Sequence, residues 1–216
     1  MKPENKTKTR DLEKTRRLIL DAAADEFSEY GFTGARVDRI SRRAGCNKAM
    51  IYYVYKDKRE LHLAVLENLF EEKVKEIKRH LTSDQHGLAE LFPMLEGYLK
   101  TFLEKKAYAR IILYDIATGA QTLRELKDRR PDLFAELDII AAMFEDMAKA
   151  GHIRGIDTDK AVTMIVLLVV GMANMQPHMD LIAPPGSARF KALSDPKKWL
   201  SFLSDALARM LAPDPA

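Results

Sequence analysis

Between Lys48 and Lys58 the chain gathers groups able to address a polyanion and the edges of stacked bases. Lys48, Lys56 and Lys58 stand there with Tyr52 and Tyr53, beside the apolar Ala49 and Met50. An ammonium donates to guanine acceptors or to phosphate, and a small apolar side chain can lie against a thymine methyl. Arg36, Arg39, Arg42 and Arg43 lie just upstream, and guanidinium groups are the usual partners of phosphate oxygens. The candidate DNA-contacting set is Arg36, Arg39, Lys48, Ala49, Met50, Tyr52, Tyr53, Lys56 and Lys58. A plainer reading stands beside it. Tyr52 and Tyr53 could be a half-buried aromatic pair pinning a helix, and Arg39, Arg42 and Arg43 a solvated face. Cys46, next to the set, reads as a small buried hydrophobe before it reads as a redox sensor.

Such a set needs a rigid mount. The spacing predicts a short helix at about 36–43 with Val37 and Ile40 inward, a turn at Gly45, and a second short helix at about 48–53 capped by Asn47. Helices this short do not hold alone, so longer neighbours must carry them. A first helix at about 11–30 brings Leu12, Leu18, Ile19, Ala22, Ala23, Phe27 and Tyr30 near helical spacing and ends at Gly31. A long helix from Asp57 to about His80 opens on an Asp57-x-x-Glu60 capping box and turns Leu61, Val65, Leu69 and Ile77 inward. Two short helices around a glycine turn, with the first turn of the second at the base edges, are the layout of a helix-turn-helix.

In this layout Phe27, Tyr30-Gly31-Phe32, Val37-x-x-Ile40-Ser41, Ala44-Gly45 and Lys48-x-x-Ile51-Tyr52-Tyr53-x-Tyr55-Lys56-x-Lys58-x-x-Leu61 resemble the N-terminal domain of the tetracycline-repressor (TetR) family of bacterial transcription regulators. The resemblance covers about residues 11–65. It implies an all-helical homodimer with a divergent C-terminal ligand domain, repression released by a small molecule, and an approach of Lys48, Tyr52, Tyr53 and Lys56 to DNA. Three places depart from the family pattern. Ala35-Arg36 replaces a Thr pair, leaving the following helix to a weaker cap or to Thr33; Ala49-Met50 replaces Gly-Thr or Gly-Ser; and Val54 replaces a frequent His.

The rest of the chain is expected to be helical as well, giving an all-α fold. Residues 1–10 are read as a flexible basic arm, 11–56 as the DNA-binding domain, and 57–216 as an effector and dimerisation domain joined by the helix at 57–80. Helices are predicted at about 88–105, 107–117, 131–150, from Asp157 onward, and from Asp195-Pro196 to the end, after a loop at Pro184-Pro185-Gly186. Thr82–Gly87 is the expected domain boundary. Apolar stripes of Leu95, Tyr98, Phe102, Ile112, Ile116, Ile140, Phe144, Met147, Leu168, Met172 and Met175 read first as core. Their Met and aromatic content also suits a pliable pocket for a lipophilic or aromatic effector. Arg110, Asp115, His152 and His178 are candidates for its polar edge. The Asp157 helix is apolar all round, so Val162, Val166 and Val169 are paired with Trp199, Phe202, Leu203, Ala206 and Met210 as a homodimer interface.

Composition narrows the classes. Of 216 residues, 47% are hydrophobic and 31% charged, as in a globular domain with a real core. Residues 1–60 hold 15 Lys and Arg against 10 Asp and Glu, net +5, while residues 61–216 hold 20 against 22, net −2. A basic end on a mildly acidic body points that end at phosphate. A single cysteine forbids an intrachain disulfide, and the polar N-terminus is no secretory signal, so a cytoplasmic setting is expected. There is no GxSxG, P-loop or His-Glu-x-x-His, and no zinc-ligand spacing, so neither enzyme chemistry nor a metal or cofactor is expected. The alternative to an effector-controlled regulator is a DNA-bound protein whose C-terminal surface recruits another protein.

Overall fold

The computed structural model describes residues 4–80, 93, 96–97, 100, 106–175, 178, 181 and 195–213. Among these the chain is helical and has no strand. The helices are α1 (Glu4–Gly34), α2 (Val37–Arg43), α3 (Lys48–Tyr55), α4 (Lys58–His80), α5 (Lys106–Ala117), α6 (Gln121–Arg129), a 3-10 turn at Pro131–Leu133, α7 (Glu136–Lys149), α8 (Thr158–Met175) and α9 (Pro196–Leu211). The helix predicted at 88–105, the boundary at Thr82–Gly87 and the Pro184–Gly186 loop lie outside the described residues. Two compact units are formed, Met1–Glu71 with Arg110–Pro131, and Glu72–Ala109 with Asp132–Ala216.

In the first unit α1 packs on α2 and α2 on α3. The core is Ile19 and Phe27 from α1, Ile40 from α2, Ile51 from α3, Leu61 and Leu66 from α4, Ile111 from α5 and Leu126 from α6, all essentially inaccessible to solvent. Each such side chain contributes about 1.5–3 kcal/mol by leaving water, which is how two helices too short to stand alone are held. Helix α1 already begins at Glu4, inside the segment read as an arm. Gly31 takes φ 63° and ψ 178°, which breaks the helix as expected, but one more turn follows to Gly34.

Helix α6 was not anticipated from the sequence. Its apolar side is narrow, only Leu123 and Leu126 among nine otherwise polar residues, and of these only Leu126 is buried. Its amino end is capped from α5: the Asp115 carboxylate accepts from the Thr122 and Leu123 amides at 3.3 and 2.9 Å. Asp115 thus serves as a helix cap. Its flank is tied to α4 by Arg59–Glu125 at 2.6 Å, by a two-pronged Arg129–Glu60 pair at 3.0 Å, and by Arg130 with Glu67 and Glu71. The helix predicted over 131–150 is divided into a 3-10 turn at Pro131–Leu133 and α7 from Glu136, while Arg130, the residue before Pro131, is kept out of the α region at φ −137°, ψ 66° and so ends α6.

The second unit is built on α7, α8 and α9. Ile140, Met143, Phe144 and Met147 make the buried stripe of α7, and α7 packs on α8, which buries Ala161, Val162, Ile165 and Val169. Helix α9 turns Leu207 and Leu211 inward, and the Arg154 amide donates to the Leu211 carbonyl at 3.0 Å. Asp157 caps α8 as predicted, accepting from the Lys160 amide at 3.1 Å.

Candidate nucleic-acid interface

The reading element is set up by short-range bonds. Gly45 makes the turn after α2 with φ 66°, and the Cys46 amide donates to the Ser41 carbonyl at 3.0 Å. Asn47 then starts α3, its Oδ1 accepting from the Met50 amide at 2.7 Å. That cap puts Lys48 and Ala49 at the open end of the helix. Ile51 and Tyr55, four residues apart, face the core; the Tyr55 hydroxyl donates to the Arg16 carbonyl at 3.3 Å, and burial pushes its pKa up to about 12. The opposite face is left outward: Tyr53 is 79% exposed and Tyr52 41%. Lys56 closes α3 with φ 64°, its amide donating to the Tyr52 carbonyl at 2.9 Å.

Helix α2 is not capped by its own flanking side chains or by Thr33. Instead Glu26 of α1, fully buried, accepts from the Arg36 amide at 2.9 Å and from Arg39 Nε at 2.6 Å. Arg39 also donates to the Gly34 carbonyl at 2.8 Å and lies 4.1 Å over the Tyr30 ring. The hydrogen bond and charge of Glu26 raise the Arg39 pKa further. Arg39 is therefore committed to the scaffold. Arg43 pairs with Glu29 at 2.8 Å, and Lys58 lies 4.8 Å over Phe32 with its Nζ 3.4 Å from the Thr33 carbonyl. Burial lowers the Lys58 pKa, chiefly by desolvation.

Lys48 pairs across the turn with Asp38, Nζ to Oδ1 at 3.0 Å and to Oδ2 at 3.2 Å. No ion pair is recorded among the described residues for Arg36 or Lys56; Arg36, Ala49 and Lys56 are exposed and Met50 is half-buried. Cys46 is half-buried and desolvation raises its pKa, the opposite of an activated thiolate. The structure thus brings Arg36, Lys48, Ala49, Tyr52, Tyr53 and Lys56 to the outside of the motif, and turns Arg39 and Lys58 back onto it.

Within the same unit, between the end of α1, the start of α4, and α5, lies a cavity of about 420 Å³ that was not anticipated from the sequence. Phe27, Tyr30, Phe32, His62, Ile111 and Tyr114 are among its walls, with Thr33, Arg59, Thr118 and Gln121 at the polar side. Gly31 packs against the Tyr114 ring here, where a Cβ would meet it at an ordinary contact distance of 3.5 Å, so it is the left-handed φ of 63° and not lack of space that asks for glycine. The aromatic residues at 27, 30 and 32 were the available signal, but nothing local pairs them with α5.

The candidate effector residues are divided. Leu95, Tyr98 and Phe102 lie outside the described residues. Ile112 and Ile116 belong to the first unit, Ile116 being exposed. Ile140, Phe144 and Met147 form a contiguous buried patch on α7, while Leu168 and Met175 of α8 are exposed and Met172 is half-buried. Of the candidate interface residues, Val162 and Val169 turn into their own unit, and Val166, Trp199, Leu203 and Ala206 are half-buried. Phe202 and Met210 face outward, as does Leu167 at 68% exposure.

Among the described residues no group of three or more His, Cys, Asp or Glu could hold a metal, and no helix is long and apolar enough to cross a membrane. Residues 19–65 match the family profile described as bacterial regulatory proteins, tetR family. The chain is 25% identical to the transcriptional regulator RutR of Escherichia coli, over 81% of both chains. It is 26% identical to the transcriptional repressor NicS of Pseudomonas putida, over 92% of this chain and 93% of that one. The fold matches that of the Streptomyces coelicolor regulator SCO4942 with a TM-score of 0.71 at 21% identity, covering 93% of this chain and 99% of the other.

Proposed function

The chain belongs to the TetR family of bacterial regulatory proteins and is a DNA-binding transcription regulator, not an enzyme; from that premise we propose that it is a cytoplasmic homodimeric repressor of a palindromic operator, released by a small lipophilic or aromatic effector. The observation that carries the DNA-reading part is the outward face of α3. Tyr53, Tyr52, Ala49 and Lys48 have side chains the core does not need, on a helix whose inner face is fixed by Ile51 and Tyr55. Two such heads, one per protomer, suit half-sites about one helical turn or more apart. Outward Leu167, Leu168, Phe202 and Met210 are apolar groups that a second copy would cover. The preference for repression over activation leans on NicS, named a repressor, with FasR of Mycolicibacterium smegmatis, an activator, 29% identical over half of each chain.

Effector control is supported by α4, one unbroken helix with residues in both compact units. A differential affinity of a few kcal/mol for two arrangements of α4 suffices to change operator occupancy. The test is fluorescence-anisotropy binding to the DNA upstream of the gene, near physiological salt, against a scrambled duplex. Preference for the native fragment by about a thousandfold or more is expected. Equal affinity for both, with no sequence enriched from a random pool, refutes sequence-specific regulation.

A further inference from the structure

We propose that Asp38 is a positioning residue for base reading, holding the Lys48 ammonium so that it addresses a guanine edge in preference to phosphate. This inference rests on the DNA-reading function proposed above. Lys48 opens the recognition helix α3, and Asp38 lies in the first turn of α2, on the other side of the Gly45 turn. The ammonium sits between the two carboxylate oxygens, 3.0 Å from Oδ1 and 3.2 Å from Oδ2. It has three donors; a carboxylate engaged through both oxygens takes one or two of them and fixes the direction of the rest. Guanine offers two adjacent acceptors, O6 and N7, in the major groove. A lone phosphate oxygen needs no such orientation.

Charge acts in the same direction. The pair is close to neutral as a unit, so it adds little to the counterion release that drives non-specific binding. It also remains adjustable. The side chains are 47% exposed for Lys48 and 66% for Asp38, and pairs in such surroundings hold only weakly. Two cations of α2 are paired differently: Arg39 and Arg43 are matched to Glu26 and Glu29 of α1, which anchor α2 to the scaffold. The Asp38–Lys48 pair joins the two helices of the motif at its outer face.

The experiment compares wild type, Asp38→Asn, Lys48→Ala and the double variant. Each is titrated against the duplex that wild type selects from a random pool and against a scrambled duplex of equal length, over a range of salt. Asp38→Asn should lower the operator-to-scrambled affinity ratio at least about threefold, tighten scrambled binding, and steepen its salt slope by about 0.9 per head as Lys48 gains a phosphate. In the Lys48→Ala background the same substitution should leave the ratio where it was, and Asp38→Glu should recover part of it. Parallel gains on both duplexes with an unchanged ratio would overturn the proposal in favour of general charge repulsion. A ratio loss that persists without Lys48 would overturn it in favour of a scaffold role. A wild type that selects no sequence removes the DNA-reading function itself, a separate outcome from either.

Discussion

His62 gives the most direct physical test of the first unit. It is 3% exposed, with its ring 4.5 Å from Phe27, 5.2 Å from Phe32, and Nδ1 3.2 Å from Thr122 Oγ1. Charging an imidazole there strips a cation of water, so burial lowers its pKa from 6.5 to about 4, with Asp115 pulling upward and Lys58 downward. As pH falls below 6.5 the unfolded chain takes the proton first, while the folded chain stays neutral until about pH 4. The stabilisation is therefore complete above pH 6.5 and is lost progressively as pH falls to about 4. A gap of about 2.5 units, at about 1.36 kcal/mol each, sets the total near 3 kcal/mol, of which about 2 kcal/mol is gone by pH 5. Urea unfolding of wild type and His62→Gln at pH 7.5 and 5.0 isolates this residue, since the other four histidines are common to both. Wild type should lose about 2 kcal/mol more than the variant, and the His62 ring should titrate near pH 4 by NMR. Equal losses, or a ring midpoint near 6.5, would refute the reasoning.

Other expectations follow from the same geometry. Glu26→Ala should destabilise the protein by about 2 kcal/mol, because the Arg36 amide and Arg39 lose their acceptor; Glu26→Gln, which keeps a carbonyl in place, should cost less, and chemical denaturation reads the order. Tyr53→Phe should leave stability within about 0.5 kcal/mol yet weaken operator binding. Tyr55→Phe should do the reverse, losing about 1 kcal/mol with the Arg16 bond while the reading face stays intact. Gly45→Ala places a Cβ in open space but at φ 66°, so a cost of about 1 kcal/mol should appear in thermal unfolding from backbone conformation alone.

The elements legible in the sequence are those whose physics is local. Asn47 caps α3, Asp57 accepts from the Glu60 amide at 2.8 Å, and Gly45 turns the chain, each acting within a few residues. The periodic apolar residues of α1, α4 and α7 likewise declare one buried face without reference to a partner. What only the tertiary structure decided is which polar groups meet. Arg39 reads as a phosphate contact until Glu26, 13 residues earlier and buried, is found beneath it. Helix α6 has only two apolar residues, Leu123 and Leu126, and is held because Asp115 caps it and Glu60, Glu67 and Glu71 of α4 hold Arg129 and Arg130. Charged side chains carry no periodic signal of their destination; their partners are fixed by packing elsewhere in the chain, and that information is absent from any single window of sequence.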